Sequence, residues 1–175
     1  MPLASLADDL RWYYGFVISK EQILQAAETI LDKSDEDNKS AFDGPHGPNV
    51  DHLITILNIA FYGTHGLQTS VCVRPGTILD ILIKETIRPR GIVEVFSDVR
   101  MHEGKLHRQT DWAFAIFTDT YAHYSCTKYN TELTLARAHQ IAQYVGPTFG
   151  ASNTLKLEYF YDANTSPTLK DLMGK

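Results

Sequence analysis

Hydrophobic and polar positions alternate most regularly between residues 91 and 129. Residues 92–101 and 106–117 are rich in β-branched and aromatic side chains and are separated by polar positions that include Glu103-Gly104. This is the signature of a β-hairpin with a tight turn. With Glu103 and Gly104 as the loop, Met101 faces Leu106, Val99 faces Arg108, Val95 faces Trp112 and Val93 faces Phe114. The opposite face then carries Glu94, Phe96, Asp98 and Arg100 against Ala113, Asp111, Gln109 and His107. One face is mostly apolar and the other mostly charged, as in an antiparallel sheet with one side on the core. A slip of one residue would invert every side chain, so the sorting itself supports the register.

The pattern continues past a turn at Thr118-Asp119-Thr120 into a further strand over 121–129. There His123 falls on the face of Phe114 and Ile116, which predicts a largely buried imidazole. Tyr124, Cys126 and Lys128 fall on the face of Asp111 and Glu94.

Elsewhere the periodicity is mixed. Residues 11–18 favour a strand, after a short helix over 4–10. Ser19-Lys20-Glu21-Gln22 then fits a capping box that starts a helix over 19–32, with Ile23, Leu24, Ala27, Ile30 and Leu31 at helical spacing. Residues 33–48 are acidic and then Gly/Pro-rich, which predicts a surface loop that buries little apolar area. Asn49 is placed to cap a second helix ended by Gly63, although 53–61 also suits a buried strand. Residues 67–73 read as a strand. So do residues 78–87, where Leu79, Ile81 and Ile83 alternate with Asp80, Leu82 and Lys84. A third helix spans 131–145 and is stopped by Gly146-Pro147. Residues 154–161 form a final alternating strand, and a loosely held tail begins at about 164.

These elements predict one α+β domain over residues 1–175. Its antiparallel sheet has about five or six strands in a meander, with helices packed on one face. Composition is ordinary for a globular chain, with 43% hydrophobic and 21% charged residues. A net charge of −5 argues against non-specific nucleic-acid binding, which needs Lys and Arg to neutralise phosphates. The apolar runs are too short to span a membrane. Two cysteines, Cys72 and Cys126, both in strand-like runs, read as buried thiols in a reducing compartment. A cytoplasmic location is expected.

The common catalytic and phosphate-binding signatures are absent. His123 and Cys126 are three apart on a predicted strand and point to opposite faces, so no metal site is expected and no cofactor is implied. Two functional readings follow. The first is a non-catalytic domain that binds another protein or a second copy of itself. It would use an aromatic and charged sheet face containing Phe96, Tyr124 and Tyr129. The aromatic surplus motivates it, because tyrosine and tryptophan are enriched at the centres of interfaces. The second is an enzyme of the isomerase, dehydratase or thioesterase type acting on a small apolar ligand. It would use His123 as general base in a pocket lined by Trp112, Phe114 and Tyr121.

Overall fold

The computed structural model describes residues 11–63, 71–85, 89–120, 131–151 and 155–164. It is an α+β fold. Strand β1 (Arg11–Ile18) leads directly into helix α1 (Lys20–Ile30). Ser19 closes the capping box in both directions. The Gln22 N–H donates to Ser19 Oγ at 3.2 Å, and the Ser19 N–H donates to Gln22 Oε1 at 2.8 Å. Two of the helix's otherwise orphaned amides are thereby satisfied.

The segment expected to be a bare surface loop contains helix α2 (Glu36–Phe42). Asp35 caps it by accepting from the Asn38 N–H at 3.2 Å. Ala41 and Phe42 are buried, so the segment contributes to the core despite its acidic start. Asn38 is itself buried, and its amide donates to the carbonyls of Asp32 at 2.9 Å and Cys72 at 2.8 Å. That side chain ties the end of α1 to the chain around Cys72. The Asp32 N–H also donates to Cys72 O, and Leu31 and Val73 form an isolated bridge. Of the strand expected over 67–73, residues 67–70 lie outside the described residues, and this bridge is what the rest contributes. Cys72 is exposed, not buried as the sequence suggested.

Helix α3 (Val50–Gly63) resolves the ambiguity over residues 53–61 in favour of helix. Asn49 caps it, accepting from the His52 N–H at 3.1 Å. The segment read as a strand over 78–87 instead contains helix α4 (Ile78–Lys84). Thr77 Oγ1 accepts from the Leu79 N–H, and Asp80 accepts from the Gly76 N–H at 2.7 Å. Ile78, Leu79 and Leu82 are buried while Ile81 and Ile83 are exposed, a helical spacing that the apparent alternation concealed. Helix α5 (Thr131–Val145) has the expected bounds and runs into a single 3-10 turn (Gly146–Phe149).

The remaining strands are β2 (Gly91–His102), β3 (Lys105–Thr120) and β4 (Glu158–Asp162). Among the described residues the sheet has four strands, not five or six. They are not in meander order but close into an antiparallel barrel, β1-β3-β2-β4. The Glu103-Gly104 turn is as expected. Both residues have positive φ, 50° and 76°, the geometry of a type I′ hairpin loop. Met101 pairs with Leu106, Val99 with Arg108, Arg100 with His107 and Asp98 with Gln109.

Beyond Asp98 the expected register fails. A bulge at Ser97 inserts one residue into β2, so Val95 pairs with Asp111 and Val93 with Ala113. Trp112 pairs with Glu94, and Phe114 with Ile92. One extra residue exchanges the faces of everything that follows it. A second irregularity in β3, at Ile116, shifts the β1–β3 register between Tyr14 and Gly15. There β1 lies so close to β3 that a Cβ on Gly15 would overlap the Phe114 carbonyl oxygen.

The two faces of the strands serve two cores. Tyr14, Phe16, Ile18, Ile92, Phe114 and Ile116 join buried residues from all five helices in the larger cluster. Tyr13, Val95, Ala113, Ala115 and Phe160, drawn from all four strands, form a separate small cluster that fills the barrel interior. A barrel this narrow has little internal room, which suits alanine at two of its positions. Asp162 shares this interior and is 4% exposed. It accepts from the Tyr13 hydroxyl at 3.3 Å and from the Asn164 N–H at 2.9 Å, so its carboxylate is partnered.

Asn58 joins helix to sheet. Its amide donates to Ile92 O at 2.8 Å, and its carbonyl accepts from the Ile92 N–H at 2.7 Å. The neighbouring Gly91, at φ 102°, leaves space for this, since a Cβ there would come within 2.5 Å of Asn58 Oδ1. Asn58→Ala is therefore expected to destabilise the fold by about 2–3 kcal/mol, through two lost hydrogen bonds and an unsatisfied strand terminus. Urea unfolding of the variant should show a lower midpoint with an unchanged slope.

Candidate interaction face

Alternation along β1 places Trp12, Tyr14, Phe16 and Ile18 on the face outside the barrel, and Tyr159 and Tyr161 of β4 lie beside them. The register pairs Trp12 with Tyr161 and Tyr14 with Tyr159, while β3 brings Phe117 opposite Tyr14. The rings touch in two groups. Trp12 and Tyr161 have centroids 3.7 Å apart, Tyr14 and Tyr159 4.6 Å, and Tyr14 and Phe117 5.1 Å. Contacts of this kind add roughly 0.5–1.5 kcal/mol beyond their burial. Burial pushes the Tyr14 hydroxyl above its ordinary pKa.

This ladder begins inside the larger core and runs out of it. Phe16 and Phe114 are covered, whereas Trp12, Phe117 and Tyr161 are half-buried and Tyr159 is 46% exposed. Phe96 pairs with Tyr161 across β2 and β4 and shares its strand face. Its ring is 9% exposed and lies beneath the Arg108 guanidinium, 5.7 Å from the centroid, within cation–π range. The hairpin beyond it carries both signs of charge. Arg100, Lys105 and Arg108 are exposed beside Asp98 and Glu103, and Arg100 Nε lies 3.6 Å from Asp98 Oδ2.

The residues singled out from sequence divide between these regions. Phe96 belongs to the ladder. Trp112 is half-buried against the helix-side core, and Phe114 is fully buried among the rings of Phe16, Phe61 and Phe149. Tyr121, His123, Tyr124 and Tyr129 lie outside the described residues. The Ser97 bulge also separates Glu94 from the hairpin charges with which the sequence grouped it. Trp12, Tyr159, Tyr161 and Arg108 are members of the face that sequence reasoning did not place. The spacing of Trp12 with Tyr14, and of Tyr159 with Tyr161, is the signal that was available.

Described residues line at least two hollows. One, of about 340 Å³, is lined by His139, Gln143, Pro147, Leu155 and Leu157 among others, at the end of α5. The other, of about 310 Å³, lies over Lys33, Lys39 and Phe42. Neither is lined by Trp112 or Phe114. Among the described residues, no group of three or more His, Cys, Asp and Glu side chains is placed to hold a metal ion. Nor is any helix among them long and apolar enough to cross a membrane. No family model, curated protein or solved structure matches this chain.

Cys72 is the one described thiol, and its surroundings are acidic. A hydrogen bond and charge from Asp35, with further charge from Asp32 and Asp37, hold its pKa above the ordinary thiol value. Asp32 is shifted the other way, because the Ser34 hydroxyl and N–H both donate to it. The thiolate is the reactive form, so a raised pKa slows alkylation at mildly alkaline pH. Site-resolved iodoacetamide labelling at Cys72 should be slower than for free cysteine. Asp35→Asn, which keeps a capping side chain for α2, should accelerate it.

Proposed function

We propose that this chain is a non-catalytic interaction domain that self-associates through the aromatic and charged strand face outside its barrel. The observation that carries this reading is the ring ladder, which leaves the core and ends at the half-exposed Tyr159. Such rings bury large areas at low conformational cost and keep a polar tip, which is why they dominate the energetic centres of interfaces. The adjoining hairpin supplies both signs of charge within a few residues. A surface of that kind can be complementary to its own copy about a two-fold axis. Arg108 over Phe96, with Glu94 on the same strand face, fits the division of an interface into aromatic centre and polar rim.

Sedimentation equilibrium should show reversible, concentration-dependent association of the purified chain. Tyr159→Ser should weaken it by roughly 30-fold, the effect of losing about 2 kcal/mol at an interface centre. Circular dichroism should show the variant still folded, with a thermal midpoint lowered by no more than the lost ring contacts and the lost association account for. A chain that stays monomeric at every concentration tested would rule the reading out.

A further inference from the structure

The hairpin extends past the barrel that carries it. Strand β1 pairs with β3 only from Trp112 onward, and β4 meets β2 only at Val95 and Phe96. Residues 97–111 are therefore a two-stranded ribbon. Among the described residues, nothing pairs with it on either outer edge. The β2 half of this arm, six residues, reaches roughly 20 Å at the usual strand rise. Ser97, Arg100 and His102 on one strand, and Lys105, His107 and Arg108 on the other, are all exposed.

A lone two-stranded ribbon is marginal in water, and an open strand edge is a template for another strand. Resting on the self-association reading above, we propose that the β2 edge over residues 97–101, clear of the β4 pairing at Phe96, pairs antiparallel with the same edge of a second copy. The two-fold axis passes through Val99. That register sets Asp98 of one copy opposite Arg100 of the other, and the reverse, giving two reciprocal ion pairs across adjacent strands. Asp98 and Arg100 meet at 3.6 Å within one strand, and both side chains are substantially exposed, so they are free to exchange partners across the axis. An axis through Asp98 or through Arg100 would oppose like charges. The equivalent pairing of the β3 edges about Arg108 would set that guanidinium against its own copy. The β2 edge is thus the self-complementary one. Its pairing turns two ribbons into one four-stranded sheet, β3-β2-β2-β3, above the threshold for independent stability.

Charge reversal tests this directly by sedimentation equilibrium on the full chain, with circular dichroism to verify folding. Asp98→Arg and Arg100→Asp should each weaken the dimer by at least about tenfold, because each creates two like-charge oppositions. The double variant D98R/R100D should restore association to within a few-fold of the unaltered chain, because it re-forms both pairs with signs exchanged. Single variants that associate as tightly as the parent would overturn the edge pairing, as would a double variant that stays as weak as the singles. If in either case Tyr159→Ser still dissociates the dimer, the aromatic face remains the interface and only the edge assignment fails. A parent chain that never associates removes both.

Discussion

Four strands can close on themselves only by bending sharply, and this barrel obtains its bends from inserted residues. Ser97 in β2 and Ile116 in β3 each leave the ladder one residue out of step. A bulge strengthens twist and turns a strand locally, which a small barrel needs and a regular ladder does not supply. The same insertions decide which side chains go where. Upstream of Ser97 the valines of β2 turn into the barrel, and Phe114 and Trp112 turn toward the helices. Around Ile116, the residues that oppose Tyr14 and Phe16 change from one phase to the other, so Ile116 and Phe117 both reach the helix-side core. Gly15 completes the arrangement, because no side chain fits where β1 crosses closest to β3.

What was legible in the sequence follows from this. The loop at Glu103-Gly104, the four pairs nearest to it, the Ser19–Gln22 box and the bounds of α5 all rest on local chemistry, and local chemistry is written in adjacent residues. The bulge at Ser97 has no such mark. Its cause lies in closing the barrel with β4, some sixty residues further on. The pairing of Val95 with Trp112 failed for that reason and not through a wrong turn. Helix α4 reads as a strand because Leu79, Ile81 and Ile83 fall at every second position, while the informative residues are Thr77, which caps the helix, and Asp80, which accepts from the Gly76 N–H. Helix α2 was missed because its apolar content is confined to Ala41 and Phe42, and its anchor is a buried asparagine. Of the aromatic strand face, the sequence identified Phe96 and an excess of rings. It did not show that the two ends of the chain place their rings side by side.

The two cores also divide the labour of the strands. The larger one fixes the helices against Phe16, Phe114 and Ile92, with Asn58 standing in for a peptide group at the start of β2. The smaller one, built around Tyr13, Phe160 and the partnered Asp162, holds the barrel shut from inside. Outside both cores, Trp12 and Tyr161 stay half-buried and Tyr159 stays largely in solvent.

The order of the strands has a consequence for biosynthesis. β1 is the first described element to leave the ribosome, yet its partners are β3, about a hundred residues later, and β4, near residue 160. During translation, the hydrogen-bonding edges of Arg11–Ile18 wait without their native neighbours while α1, α2 and α3 emerge. Pairings so distant in sequence fold slowly, because loop-closure entropy is spent before the contacts form. The nascent chain therefore carries this aromatic strand without its native partners until β4 has been made. That interval is its greatest exposure to misassembly.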